Sequence, residues 1–200
     1  LVFKDNTSNL EDAIKPLLIR PASDSGPLDF TIELVDGTVT ALDESTDRTW
    51  KAEGINISLA SHGDAAIKVH FEANVTGSDA QSGALVVDIA WQQSTDGSGA
   101  TAGSGSLTAE VRRFDLSVLE SLLRRVAPGI SLSGTLGANV RLDWDAEGET
   151  ANFDAISIEQ LQLVAPHWLG PDRVALQGIN LQARMSRQDA TWQVTDLAVA

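Results

Sequence analysis

The chain is 200 residues long, enough for one domain or two small ones with a real core. It is 42% hydrophobic and 21% charged, which argues against wholesale disorder. Its 14 basic and 28 acidic side chains leave a net charge of −14, which speaks against nucleic acid and against docking on an anionic lipid surface.

Cysteine is absent, so disulfides, thiol catalysis and Cys-based metal sites are excluded. No apolar run approaches the roughly 18 residues that a membrane helix requires. The chain starts without Met and stops in mid-pattern. It is expected to be a piece of a longer protein, with any signal or anchor outside it.

In chain order, the first predicted element is a short helix from Ser8, with Glu11 completing a capping box, ending near Pro16. After it the dominant signal is alternation of apolar and polar side chains, the period of a half-buried strand. Leu28, Phe30, Ile32 and Leu34 alternate, and Asp36-Gly37 then reads as a hairpin turn. Trp50 and Ala52 are in step, Gly54 intervenes, and Ile55, Ile57 and Leu59 continue on the other parity. Ile67, Val69, Phe71, Ala73 and Val75 alternate, and so do Leu85, Val87, Ile89 and Trp91. Residues 96–105 are rich in Gly, Ser and Ala and read as a flexible loop. Leu107, Ala109 and Val111 follow.

One segment reads convincingly as helix. Asp115 caps it, and Leu119, Leu122, Leu123 and Val126 form its apolar stripe. Glu120 and Arg124 stand at pairing distance, and Pro128-Gly129 stops the helix. Leu136, Ala138, Val140, Leu142 and Trp144 then alternate up to an acidic turn at Asp145-Ala146-Glu147-Gly148. Three later strands change phase once. Ile156 and Ile158 shift to Leu161 and Leu163. Val174 and Leu176 pass Gly178 to Ile179, Leu181, Ala183 and Met185. Trp192 and Val194 shift to Leu197 and Val199. A one-residue slip that keeps the same face inward is a β-bulge, and repeated bulges imply a strongly curved sheet. A weak internal echo links Gly54-Ile55-Asn56-Ile57 with Gly178-Ile179-Asn180-Leu181.

Catalytic signatures are missing. His62, His70 and His167 share no metal-like spacing. Ser98 and Ser104, each between glycines, lack the strand-to-helix frame of a nucleophile elbow. Asp143, Asp145, Glu147 and Asp154 imitate a calcium loop, but the flanks read as strands and Asp154 replaces the long closing Glu, so an acidic turn is expected. The residues point to no catalytic group, no metal, no cofactor and no enzyme. What they describe is a mainly β protein: a strongly curved, bulged antiparallel sheet forming an open groove, with one or two short helices. The same alternation would also fit a closed β-sandwich serving as a structural or adhesive spacer in a large envelope or surface protein.

Three passages carry a family resemblance. Residues 34–43 (LVDGTVTALD) and then 50–59 (WKAEGINISL) resemble the strand, Asp-Gly turn and strand cadence of AsmA-like proteins. Residues 105–125 (GSLTAEVRRFDLSVLESLLRR), continuing through 132–142 (LSGTLGANVRL), resemble the passage between repeats of AsmA-like and TamB-like proteins. There a Phe-Asp-Leu opening, a short amphipathic helix and a Leu-Ser-Gly strand start recur. Residues 174–199 resemble the Gly-interrupted strand followed by a Trp strand of the same group.

The resemblance implies a repeating β-groove, or β-taco, a bridge-like lipid-transfer architecture of the bacterial envelope. It implies a periplasmic location in a parent protein anchored at the inner membrane, with a partner at the outer membrane and a role in outer-membrane biogenesis. Phospholipid acyl chains would slide along the apolar interior. The expected layout is a lead-in over residues 1–27, a first groove unit over 28–114, an inter-unit helix over 115–129 and a second groove unit over 130–200. The expected lining is Phe30, Ile32, Trp50, Ile57, Val69, Phe71, Val87, Ile89, Trp91, Val140, Leu142, Trp144, Ile179, Leu181, Trp192 and Val194.

Overall fold

A computed structural model describes residues 3–4, 7–8, 29–43, 48–62, 66–77, 82–95, 101–188 and 191–200. A two-residue ladder joins β1 (Phe3–Lys4) to β2 (Thr7–Ser8). The alternating segments form nine strands: β3 (Phe30–Asp43), β4 (Arg48–His62), β5 (Ala66–Thr76), β6 (Ser82–Thr95), β7 (Thr101–Asp115), β8 (Ser131–Trp144), β9 (Glu149–Val164), β10 (Arg173–Gln188) and β11 (Thr191–Val199). Helix α1 (Ser117–Val126) lies between β7 and β8, and the one-turn α2 (Pro166–Leu169) between β9 and β10.

Every strand pairs antiparallel with its neighbour in sequence, so the nine make one meander. The outer edges of β3 and β11 meet no strand among the described residues, and the sheet is not closed into a barrel. The chain leaves the sheet for α1, yet β7 and β8 pair directly across it, and the sheet is continuous from 30 to 199.

Phase changes in the sequence become bulges. Gly54, at φ 57°, sits where the β4–β5 register slips between Glu53 and Asn56. Gln160, at φ 53°, is the extra residue of β9 against β8, whereas β10 pairs with β9 there without a slip, its register shift lying between Leu181 and Ala183. Thr195 is the extra residue of β11 between Arg184 and Met185 of β10, and its hydroxyl donates to the Arg184 carbonyl at 3.2 Å. Arg113, at φ 49°, does the same in β7 and keeps Phe114 in phase with Val111.

Two sequence expectations are corrected. Asp36-Gly37 is not a hairpin turn: β3 runs straight through it, and Asp36 (φ 54°) forms a bulge against Ile55. Asp-Gly supplies left-handed backbone equally well to a turn or to a bulge, and here the Asn56 Oδ1 accepts from the Asp36 N–H at 2.8 Å and fixes the bulge. The second concerns residues 101–105, which are strand and not loop; residues 96–100 lie outside the described residues. Of the expected first helix, Ser8 belongs to β2 and the remainder lies outside the described residues.

The helix expected at 115 onward is α1. Asp115 Oδ1 accepts from the Ser117 N–H at 2.8 Å, although Leu116 occupies the cap position. Its stripe differs in part from expectation. Leu119 and Leu123 are half-buried, the side chains of Leu122 and Val126 lie outside the described residues, and Val118 and Glu120 are buried. A small core forms where Ala127, Ile130 and Ala165 meet Leu123, Leu163 and Leu169.

The open apolar face as candidate functional site

Residues paired across antiparallel strands project to the same side, so the register sorts the sheet into rows. One row runs Ile32, Leu59, Val69, Ile89, Leu107, Leu142, Ala151, Met185, Val194, apolar on all nine strands. The next row on that face runs Leu34, Ile57, Phe71, Val87, Ala109, Val140, Phe153, Ala183, Leu197, again without a polar step. Between them, on the opposite face, run Glu33, Ser58, His70, Asp88, Thr108, Arg141, Asn152, Arg184 and Asp196, polar throughout.

The other proposed lining positions fall on the same apolar side. Phe30, Trp91, Trp144 and Trp192 lie in one terminal row with Ile67, Glu149 and Arg187. Leu181 stands between Ile156 and Val199, and Ile179 stands opposite Ile158. Trp50 stands beside Ala41 at the far end. All sixteen positions therefore share one face.

Among the described residues the other sheet is the two-residue β1–β2 ladder, too small to cover that face. Along the two fully apolar rows only Ala151 is buried; the other interior side chains are partly buried and the edge ones exposed, with Ile32 at 57% and Leu197 at 64%. No large side chain among the described residues is fully buried. An uncovered apolar surface of this extent is unusual on a globular domain and makes this face the candidate site.

Contacts at one end show which way the sheet bends. Glu120 is 2% exposed. One of its oxygens faces the guanidinium groups of Arg48 (3.2 Å) and Arg124 (2.5 Å). The other accepts from the Leu132 N–H at 3.0 Å and the Ser131 hydroxyl at 3.2 Å. Arg48 belongs to β4 and shares the parity of Trp50, whereas Ser131 and Leu132 open β8. Four inter-strand spacings amount to about 19 Å, farther than one arginine and one carboxylate can bridge across a flat sheet. The apolar side is therefore concave, and α1 lies across its end. Cα atoms of β5 and β7 also come within 8 Å of each other, closer than the roughly 9.6 Å of two flat spacings. Trp50 Nε1 and Asp115 Oδ2 are buried at this end without a hydrogen-bond partner, and a Cβ on Gly77 would fall 2.0 Å from that Asp115 oxygen.

Two features of the site were invisible to sequence reasoning. Gly103 and Gly105 are cradles: a Cβ on Gly103 would lie 2.3 Å from Trp91 Nε1, and one on Gly105 would lie 2.3 Å from Trp144 Cζ2. The indoles occupy the space that a side chain on the glycines of the neighbouring strand would fill. The only signal was the Gly-x-Gly spacing at strand period beside two Trp strands. The Glu120 network was also missed; its signal was an acid one helical turn from Leu123 and Leu116.

The polar face is charged and ordinary. His70 Nδ1 lies 2.7 Å from Asp88 Oδ1, and Arg141 donates to Asp143 at 2.9 and 3.2 Å. Asp143 holds Arg141 above its ordinary pKa through that hydrogen bond first and charge second, as Glu110 does for Arg112. Asp145 Oδ1 accepts from the Glu147 and Gly148 amides at 2.8 and 3.1 Å, the work of a turn residue. His167 is exposed on α2, and the His62 side chain lies outside the described residues. Among the described residues no three His, Asp or Glu side chains converge as metal ligands, and no helix is long and apolar enough to cross a membrane.

Comparison with family models, with curated proteins and with solved structures finds no match to this chain.

Proposed function

We propose that this chain is a non-enzymatic groove module that shields lipid acyl chains and conducts phospholipid between the inner and outer membranes of a bacterial envelope. In this reading it works in the periplasm as part of a larger protein anchored at the inner membrane and meeting a partner at the outer one. The observation that supports it is the pair of nine-position apolar rows on a concave, uncovered face. The mechanism is partition. Each methylene shielded from water contributes about 0.8 kcal/mol. A wall without polar steps offers a chain nearly equal sites along its length, so it can move without a barrier from dehydrating polar groups. The resemblance to AsmA-like and TamB-like proteins supports the same reading.

The test is retention. Purified protein is incubated with mixed phospholipid vesicles and re-isolated, and its organic extract is analysed by mass spectrometry. At least one phospholipid per chain is expected. Val87→Asp and Val140→Asp sit in the middle of one apolar row and are expected to lower retention about tenfold or more, because an acyl chain cannot lie against an unpaired charge. A lipid-free wild type, or variants that retain as much as wild type, would overturn the proposal.

A further inference from the structure

Strand β11 leaves a backbone edge bare. Its outer side meets no strand among the described residues, and every residue of the strand is exposed. Asn180 and Ala200 exchange both backbone hydrogen bonds, at 2.8 and 3.0 Å. An antiparallel ladder alternates, so Ala198 also faces β10, while Leu197 and Val199 turn their N–H and C=O groups outward. Those two residues, with Trp192 and Val194, carry apolar side chains that are 46–65% exposed. A free edge is normally blunted by Lys, Pro, inward charge or a bulge. Strand β11 has neither Lys nor Pro; its one charge is Asp196, and it bulges once, at Thr195. The opposite edge is better guarded: β3 carries Glu33, Asp36 and Asp43 and the left-handed bulge at Asp36.

We propose that β11 pairs antiparallel with β11 of a second copy of this chain, about a two-fold axis between Thr195 and Asp196. The pairing does not depend on what the apolar face binds. A second copy fits because the apolar positions 192, 194, 197 and 199 are symmetric about that axis. Val194 of one copy faces Leu197 of the other, and Trp192 faces Val199. The two bulges stand opposite each other, so neither strand slips and both apolar faces lie on one side of the joined sheet. On the polar side Thr195 faces Asp196. Like charges are therefore not directly opposed, and Arg184 stands beside Asp196 within each copy. The row that ends at Val194 meets the other copy's row that ends at Leu197. Each apolar row then runs over eighteen positions, nine from each copy, without a polar step. Measured along the sheet, the wall lengthens from about 38 Å to about 80 Å. A contact of this symmetry closes at two copies.

The test is the mass of the purified chain by sedimentation velocity over a concentration series. A species of twice 21.2 kDa is expected to grow at the expense of the monomer, with nothing larger. Val199→Pro removes only an outward N–H, and Leu197→Lys sets a charge at the join. Each should abolish the dimer while its far-ultraviolet dichroism matches wild type. Ile32→Lys, on the outer edge of β3, should leave the dimer intact. The chain has no cysteine, so disulfides can read the register. Chains carrying Val194→Cys, mixed with chains carrying Leu197→Cys, should form a mixed disulfide on mild oxidation. Directly opposed Cα atoms lie about 4.5–5.5 Å apart, within disulfide reach. Either variant alone should give little. A chain that stays monomeric at every concentration would mean that this edge takes a strand of another sequence, and would overturn the proposal. So would growth beyond the dimer, which joining β11 to β3 would produce, or a dimer that forms no mixed disulfide. A dimer lost with Ile32→Lys and kept with Val199→Pro would place the contact elsewhere and overturn it too.

Discussion

The curl of the sheet depends on Glu120 joining β4, α1 and β8, and that junction can be measured. Glu120→Ala removes one buried carboxylate and leaves the Leu132 N–H and the Ser131 hydroxyl without their acceptor. A buried donor left unpaired costs about 1–3 kcal/mol. The two guanidinium groups are 41% and 36% exposed, so water takes over part of their pairing. Their loss then adds at most about 1 kcal/mol, not the roughly 3–5 kcal/mol of a fully buried broken pair. The expected total is about 2–3 kcal/mol. For a chain of this length that lowers the melting temperature by about 4–12 °C, read by circular dichroism. A double-mutant cycle isolates the long-range contact: Arg48→Met and Glu120→Gln, alone and together, should show about 0.5–1 kcal/mol of coupling. Gln keeps the acceptor for Leu132, so the coupling reports the Arg48 contact. Coupling of zero would mean that β4 does not approach α1, and the concavity argued from this junction would fail.

Two glycines give further checks. Gly105→Val would set its side chain against Trp144 Cζ2 and, at 2.5 Å from the Cβ, the Ala90 carbonyl. It should cost about 1–3 kcal/mol in urea unfolding and change the near-ultraviolet dichroism of the displaced indole, and unchanged stability would contradict the cradle. Gly54→Val forces a β-branched residue into φ 57° and should cost about 1–2 kcal/mol, whereas an equally stable variant would show that the bulge is not fixed there.

Much of the sheet was legible because its code is local. Alternation in segments such as 67–75 and 136–144 needs only the next few residues to be read, and so do the phase changes around Gly54, Gln160 and Thr195. Those same features placed the sixteen expected lining positions on one side. Asp36-Gly37 was misread because the same backbone conformation serves a turn and a bulge, and only the partner Ile55 decides between them. Gly103 and Gly105 were misread because the indoles that order them come from positions 91 and 144, on the two flanking strands. Glu120 was read as a partner of Arg124, which it is. Its burial depends on Arg48, 72 positions earlier, and no helical periodicity reports that.

The central claim is that acyl chains lie against the concave face, and quenching by lipid tails tests it most directly. Variants keeping a single Trp, either Trp91 in the terminal row of that face or Trp168, 62% exposed on α2, are loaded with phospholipid brominated along its acyl chains. Trp91 emission is expected to fall well below its level with unbrominated lipid while Trp168 emission holds. Equal emission from Trp91 with both lipids, in samples shown to contain bound lipid, would contradict it.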